Sequence, residues 1–159
     1  MNGHVERSCE FKTEILCAER VAEYEARIEQ IEHLAFPDPW SMRSIRDTLK
    51  ESRYLNLGIW KNGILFGYLF FSYVLDEGEI VRIAVDPTVR RQGAATTLFR
   101  ALEQCCLERQ ISRIMLDVRA GNISAVSFYK AMKFEEDGRR KKFYANPTED
   151  AILMSRGIG

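Results

Sequence analysis

The sequence is poor in the residues that most often build metal sites or reactive thiol sites. It has two histidines and four cysteines in 159 residues, and none of them follows the C-x-x-C or histidine spacing of a zinc site. We therefore expect no metal, and free thiols at Cys9, Cys17, Cys105 and Cys106. In a helical pattern, adjacent cysteines point about 100° apart, so one thiol of the 105–106 pair should face the core and the other should not.

The sequence also lacks an excess of one charge and a membrane-length apolar run. Lysine plus arginine and aspartate plus glutamate both number 23, so no overall field draws the chain to nucleic acid or to an anionic membrane. The run ILFGYLFFSYVL falls well short of the roughly 20 residues that span a bilayer. No secretory signal is recognisable near the start. These absences predict a cytoplasmic protein without direct nucleic-acid binding, in which any anion site is local.

What is present fits one α/β domain over residues 1–159, with no repeat and no linker to divide it. Apolar spacing predicts a helix at 20–35, and Ser41 can cap a second helix after FPDPW. Three strands then form an antiparallel meander, with turns predicted at Asn62-Gly63 and at DEG, residues 76–78. A helix at 92–109 follows. The second half should therefore alternate strand and helix.

The rest of the chain predicts a strand at SRIMLDV, a helix capped by Asn122, and a tail that returns to the sheet. The tail has an Asp137-Gly138 turn signal and an Asn146-Pro147 break. We interpret its basic run RRKK, residues 139–142, as a solvated hairpin rather than a contact to RNA or to an acidic acceptor. Residues 1–20 form an N-terminal extension with no predicted role.

The segment RRQGAATTLF, residues 90–99, joins the last meander strand to a helix. The first N–H groups of a helix have no intrahelical partner and carry partial positive charge, so a phosphate can bind there. Gly93 permits close approach to the backbone, Ala95 keeps the next turn small, and Arg90 and Arg91 add charged contacts. Neither a Walker A loop nor a Rossmann fingerprint is present. From the loop alone, a tight connection with two solvated arginines is an equal alternative.

The pattern Arg90-x-x-Gly93-x-Ala95 after IAVDP, with this order of elements, resembles the GCN5-related N-acetyltransferase (GNAT) family. The resemblance implies a mixed, mostly antiparallel sheet with splayed central strands flanked by helices. It also implies acetyl-coenzyme A (acetyl-CoA) as cosubstrate, with its pyrophosphate at this loop and its pantetheine along the third meander strand. The residues it places at the cofactor are Ile83, Ala84, Val85, Arg90, Arg91, Gln92, Gly93, Ala94, Ala95, Thr96 and Asn122.

Within the family, residues 28–155 resemble bacterial enzymes that acetylate the N-terminal alanine of a small-subunit ribosomal protein. The segments that carry this resemblance include FPDPWS, VLDEGEIVRIAVDP, LDVRAGNISAVSFYKAMKF and EDAILM. The resemblance implies that the N-terminus of this ribosomal protein is the acceptor. It is also compatible with a monomer. Lysine side chains or small amines as acceptors, and a coenzyme A-binding domain without catalysis, are the alternatives.

The resemblance implies two catalytic residues. Asp117, in LDVRAGN, stands where these enzymes have a glutamate base; being one methylene shorter, it would act through a water or with another carboxylate such as Glu79. Tyr129, in SFYKAMKF, matches the tyrosine that protonates the coenzyme A thiolate. The structural alternatives are an aspartate held by Arg119 or by a backbone amide, and a tyrosine that only packs in the core.

The same resemblance makes three aromatic residues candidates for the walls of the acceptor groove. They are Phe36, Trp40 and Tyr144. For Trp40, packing in the core is an equal alternative.

Overall fold

The computed structural model describes residues 10–159, so the thiol predicted at Cys9 lies outside the described residues. Over this range the strands are β1 Lys12–Ile15, β2 Tyr54–Lys61, β3 Ile64–Val74, β4 Glu77–Val85, β5 Arg113–Arg119, β6 Glu135–Tyr144 and β7 Glu149–Gly157. The α-helices are α1 Val21–Ala35, α2 Met42–Lys50, α3 Ala94–Glu108 and α4 Ile123–Ala131. None of the helices in the described residues is long and apolar enough to cross a membrane.

The strands lie in one sheet in the order β1-β2-β3-β4-β5-β7-β6. Neighbouring strands are antiparallel except for β4 and β5, which pair in parallel. The mixed, mostly antiparallel sheet predicted from the sequence is therefore confirmed. Strand β1 was not predicted: it comes from the N-terminal extension and pairs along the edge of β2, from Lys12 opposite Trp60 to Ile15 opposite Leu57.

Helices cover both faces of the sheet. On one face, α3 buries Leu98, Phe99 and Leu102 in a core that also includes Tyr129 of α4. On the opposite face, residues of α1 and α2 pack on the sheet around Tyr68 and Phe70; they include Ile28, Ile31, Ile45 and Leu49. These two sides are called the α3/α4 face and the α1/α2 face below.

Side-chain caps fix the start of two helices. The Ser41 hydroxyl accepts a hydrogen bond from the Ser44 N–H at 3.1 Å at the start of α2. The Asn122 side-chain oxygen accepts one from the Ala125 N–H at 3.2 Å at the start of α4. Both caps were predicted, because the residue types and their spacing are local signals. They fix the residues at which α2 and α4 begin.

The hairpin at Asn62-Gly63 is confirmed, with positive φ at both residues (52° and 77°). The second meander turn begins one residue earlier and ends two residues earlier than predicted. Strands β3 and β4 already pair at Val74 and Glu77, so the turn consists of Leu75 and Asp76, with Leu75 in the left-handed region at φ 58°. Pairing of the long strands decided this position, and it kept Glu77 and Gly78 inside β4.

The turn predicted at Asp137-Gly138 is wrong. Both residues lie inside β6, where the register against β7 shifts between Glu136 and Gly138, so the pair belongs to a β-bulge. The chain reverses instead at residues 145–148, around the predicted Asn146-Pro147 break. The basic run at 139–142 is exposed on this edge strand. Of the adjacent cysteines, Cys106 is buried in the core, as predicted for one of the two, whereas Cys105 is half-buried and packs against the same core instead of being exposed.

Candidate active site

The parallel strands β4 and β5 stay together for only part of their length. They pair from Glu77 opposite Arg113 to Ile80 opposite Leu116, and both strands then continue beyond the last pair. On its other side β4 carries a bulge, because Phe71 faces Ile80 while Phe70 faces Arg82, which leaves Val81 between them. A bulge bends and twists the strand that contains it. The result is a gap between the ends of the two central strands.

A cavity of about 750 Å³ occupies this gap, and both catalytic candidates line it. Along β5, Leu116 and Val118 belong to the core of the α3/α4 face, so the alternation of a strand directs Asp117 to the α1/α2 face. Tyr129 reaches the same cavity from α4, on the other face. The gap therefore connects the two faces of the sheet, with one candidate on each side.

The loop before α3 has the backbone that an anion site needs. Arg91 and Gly93 are both left-handed, with φ 64° and 80°, and the Thr97 N–H donates to the Gly93 oxygen at 2.9 Å, which marks the start of the helix. No heavy atom lies within 4 Å of the position a Cβ at Gly93 would take. The free N–H groups of the helix start can thus be approached closely by a phosphate.

The residues predicted to hold acetyl-CoA surround two adjoining cavities. The main cavity is lined by Ile83, Ala84, Val85, Arg90, Arg91, Ala95 and Asn122. A second cavity of about 210 Å³ shares several of these residues and adds Gly93, Ala94 and Thr96. Gln92 is not among the lining residues of either cavity, and its side-chain oxygen instead accepts a hydrogen bond from the Lys61 ammonium at 3.2 Å.

A second carboxylate lies close to Asp117. Glu79 of β4 is opposite Met115 in the parallel register, and Asp117 is two residues further along β5 on the same face. Burial of the carboxyl raises the pKa of Glu79, the negative charge of Asp117 raises it further, and Arg140 opposes both. Glu79 nevertheless keeps access to solvent. The two carboxylates thus influence each other at one end of the gap.

Two tyrosines lie near this group, Tyr129 on the α3/α4 face and Tyr144 beside Asp117 and Arg119. Tyr129 is 6% exposed, and its ring packs edge-on against Phe128 and Phe134 at centroid distances of 5.5 and 5.6 Å. Burial raises the pKa of Tyr129 above its usual range, and the proximity of Tyr144 raises it further. Burial and then the charge of Asp117 raise the pKa of Tyr144 to about 12. Both phenols are therefore protonated near neutral pH.

A comparison with known families agrees with this geometry. The sequence profile of the acetyltransferase (GNAT) family matches residues 25–134, a range that contains the gap, the anion-binding loop and Tyr129. The chain belongs to the GNAT family.

Individual relatives and a solved structure indicate which GNAT enzymes the chain is similar to. The GNAT chain is 36% identical over 135 residues to the putative [ribosomal protein bS18]-alanine N-acetyltransferase of Bacillus subtilis, covering 80% of this chain and 89% of that protein. It is 35% identical over 130 residues to the [ribosomal protein bS18]-alanine N-acetyltransferase of Escherichia coli K12, covering 80% and 87%. The crystal structure of the E. coli ribosomal-protein-S18-alanine N-acetyltransferase superposes with a TM-score of 0.84 at 30% identity, covering 94% and 95%. The chain is an acetyl-CoA-dependent N-acetyltransferase with a GNAT fold, as its sequence predicted.

In this GNAT domain a buried ion pair fixes the connection between α1 and α2. Glu32 is completely buried and accepts hydrogen bonds from the Tyr68 hydroxyl, from the Trp40 N–H at 2.8 Å and from the Arg82 guanidinium at 2.7 Å. Arg82 also lies 3.6 Å from the centroid of the Phe36 ring. Because Arg82 extends from β4, this strand holds the connection in place beside the gap.

The three aromatic candidates for the acceptor groove occupy different positions. Phe36 and Tyr144 line the main cavity. Trp40 instead stacks on Phe70, with 5.6 Å between the ring centroids, next to the buried Glu32. Core packing was the alternative considered for Trp40. The wall nearest the gap thus consists of Phe36, Pro37 and Asp38 together with Tyr144.

One structural alternative for Asp117 was that Arg119 holds it in place. Arg119 has other partners. Its guanidinium pairs with Asp38 at 3.1 Å and with Glu149 at 3.4 Å. No role was predicted for Glu32 or Arg82, and Arg119 was considered only as a partner of Asp117. A signal was available for two of them: Glu32 falls on the apolar stripe of α1, and Arg82 interrupts the apolar strand IVRIAV. A charge on a buried face indicates a partner elsewhere in the chain.

Proposed function

We propose that this acetyltransferase transfers acetyl from acetyl-CoA to the N-terminal alanine of a small-subunit ribosomal protein, as a RimI-like enzyme. The observation that carries the proposal is the gap between β4 and β5, which Asp117 and Tyr129 line from opposite faces of the sheet. The acceptor is proposed from two relatives that match about four fifths of this chain. Both are named as alanine N-acetyltransferases of ribosomal protein bS18. The cofactor would bind on the α3/α4 side of the gap, where α3 and α4 begin, and the acceptor would enter from the α1/α2 face.

Acetyl-CoA supplies an acetyl group activated as a thioester. Its pyrophosphate would lie on the N–H groups at the start of α3, beside Arg90 and Arg91, where Gly93 leaves the backbone open. The residues 83–85 of β4 run beyond the last pair with β5, so their backbone groups can bond to an extended ligand as a strand would. Ala95 and Phe128 would line the channel between these two contacts.

The acceptor amine must be neutral to attack. An α-amino group has a pKa of about 7.7–8.0, against about 10.4 for lysine, so an N-terminal acceptor demands a weaker base. Asp117 and Glu79 are the carboxylates in position to take its proton, directly or through a water. Burial and the negative charge of Asp117 raise the pKa of Glu79 above its usual value, and a carboxylate with a raised pKa is a stronger base.

The leaving group requires a proton. As the nitrogen–carbon bond forms and the carbon–sulfur bond breaks, the amine proton passes to the carboxylate pair and Tyr129 gives its own proton to the sulfur. The raised pKa of Tyr129 keeps the phenol protonated until that moment. The carboxylate proton and the tyrosinate charge are then exchanged with solvent, which restores both groups for the next turnover.

Single substitutions test these roles. Tyr129→Phe keeps the ring packing and removes the proton, so kcat should fall by about 10²–10⁴-fold, the usual contribution of a general acid. Tyr73→Phe is the matched control, because Tyr73 stacks on Phe71 of the sheet, at 6.2 Å, and is not among the residues that line the gap. Asp117→Asn and Glu79→Gln, alone and together, should show which carboxylate carries the base. Equal activity of Tyr129→Phe and Tyr73→Phe would remove Tyr129 from the mechanism.

Peptide acceptors test the substrate. Three peptides of one sequence suffice: one with a free N-terminal alanine, one with that amine blocked and a lysine inside, and one with both amines free. Acetylation at the α-amine in the first and third, located by mass spectrometry, is the expected result. Acetylation confined to the lysine ε-amine would instead favour a GNAT that modifies side chains, and reaction with small amines alone would contradict any protein acceptor.

A further inference from the structure

We infer that Arg119 is a positioning residue that fixes both walls of the acceptor side of the gap. The inference deepens the proposed function and rests on it for the identity of the acceptor. Arg119 is two residues beyond Asp117 on β5, so its side chain leaves the strand on the same face. Its side chain is only 14% exposed, although it stands at the end of a strand, and it lines the main cavity.

One set of contacts reaches the connection between β6 and β7. The Arg119 guanidinium donates to the carbonyl oxygens of Pro147 at 2.9 Å and Ala145 at 3.1 Å. It also pairs with Glu149 at 3.4 Å and stacks on the Tyr144 ring, 4.5 Å from the centroid. The carbonyl bonds hold the backbone of the turn itself, so the position of Tyr144 in the gap depends on this guanidinium.

A further contact reaches the opposite wall. Arg119 donates to the Asp38 carboxylate at 3.1 Å, and Asp38 follows Phe36 and Pro37, which line the cavity beside it. The two walls come from connections more than 100 positions apart in the chain, between α1 and α2 and between β6 and β7. One planar guanidinium, with five N–H donors in a fixed arrangement, bridges them.

The same group is linked to the start of α4. The Glu149 carboxylate that pairs with Arg119 also accepts a hydrogen bond from the Gly121 N–H, next to the Asn122 cap of the helix that carries Tyr129. A Cβ at Gly121 would lie 2.5 Å from the Glu149 oxygen, so only glycine permits this approach. The direct contacts of Arg119 in the described residues do not include the 90–96 loop, so its replacement leaves the predicted pyrophosphate site itself untouched.

A lysine cannot replace this arginine, because an ammonium is a single point charge and cannot address two carbonyls and two carboxylates in one plane. Displacing a substrate-holding group by about 1 Å can cost on the order of 100-fold in rate. For Arg119→Lys we therefore expect a KM for the acceptor peptide at least about tenfold higher. The KM and Kd for acetyl-CoA should stay within about twofold of wild type.

The test compares Arg119→Lys and Arg119→Met with Arg113→Lys. Arg113 is an arginine of the same strand on the same face, bonded to Ser155 at 2.8 Å and remote from the gap, so it controls for the loss of an arginine from β5. Asp38→Asn should change the acceptor KM in the same direction by a smaller factor. Titration with acetyl-CoA shows independently that each variant is folded.

Three results separate the possibilities. A rise in acceptor KM with unchanged acetyl-CoA binding supports the inference. Parallel losses for both substrates would show a purely structural role, and an acceptor KM like that of Arg113→Lys would show none, so either result overturns it. All measurements use whichever amine the wild-type enzyme acetylates, so failure of wild type on the alanine peptide counts against the proposed function and leaves the comparison of variants intact.

Discussion

Replacing Glu32 with leucine would leave the nearly buried Arg82 guanidinium without its carboxylate partner. Glu32 is fully buried and the Arg82 side chain is 14% exposed, and removing one partner of a buried pair costs about 3–5 kcal/mol. Because Arg82 keeps some exposure and a hydrogen bond to the Asp38 carbonyl at 3.1 Å, we expect a cost near the lower limit, about 3 kcal/mol. For a domain of this size, about 2–4 °C is lost per kcal/mol, so Tm should fall by roughly 6–12 °C.

The matched control is Glu25→Leu on the same helix. Glu25 also pairs with an arginine, Arg46, at 2.6 Å, but that arginine is half exposed. Exposed pairs contribute about 0–1 kcal/mol, so Tm should fall by less than about 4 °C. Thermal unfolding followed by circular dichroism, with guanidinium titration for the free energy of unfolding, measures both variants.

A double substitution distinguishes the loss of a partner from the loss of packing. Adding Arg82→Met to Glu32→Leu removes the unpaired charge, so the double variant should be more stable than Glu32→Leu alone. The acceptor KM should rise in Glu32→Leu, in Arg82→Met alone and in the double variant, since in each of them the connection that carries Phe36 loses its anchor. Strictly additive effects, or a Glu32→Leu variant no less stable than Glu25→Leu, would refute the reasoning.

The structure supports three further predictions. Because burial raises the pKa of Tyr129, its protonated form persists as pH rises. A pH profile of kcat should therefore climb as the acceptor amine loses its proton and show no fall below about pH 10; a fall between pH 8 and 9 would contradict this. Gly93→Ala strains a residue at φ 80° by about 1–2 kcal/mol and should also raise the KM for acetyl-CoA. Gly63→Ala, at φ 77° and not among the residues that line either cavity, should cost the same stability with KM unchanged. Asn122→Ala removes the cap of α4 and should cost about 1 kcal/mol in thermal unfolding, which Asn122→Asp should largely restore; equal Tm values for the two would exclude the cap.

Features fixed by a few neighbouring residues were predictable from the sequence. The Ser41 and Asn122 caps and the Asn62-Gly63 turn depend on side-chain chemistry within four positions, and all of them are present. The predicted anion loop has the left-handed Gly93 that its sequence indicated. The cofactor and catalytic roles of these residues are still predictions.

Features that depend on distant pairing were missed or misread. An Asp-Gly pair suits a turn and a bulge equally well, and only the pairing of β6 with β7 decided for the bulge at Gly138. The buried pair of Glu32 and Arg82 joins residues 50 positions apart. The contact from Arg119 to Asp38 spans 81 positions. No local pattern brings such charges together, although Glu32 and Arg82 each interrupt an apolar face and so indicate that a partner is needed.

The gap between β4 and β5 has a consequence for how the two substrates bind and the products leave. Since it opens on both faces of the sheet, donor and acceptor can enter from opposite sides and be held together, and neither must leave before the other arrives. Such a site suits a sequential mechanism through a ternary complex. Free coenzyme A would then compete with acetyl-CoA for one entrance, while the acetylated peptide would leave by the other.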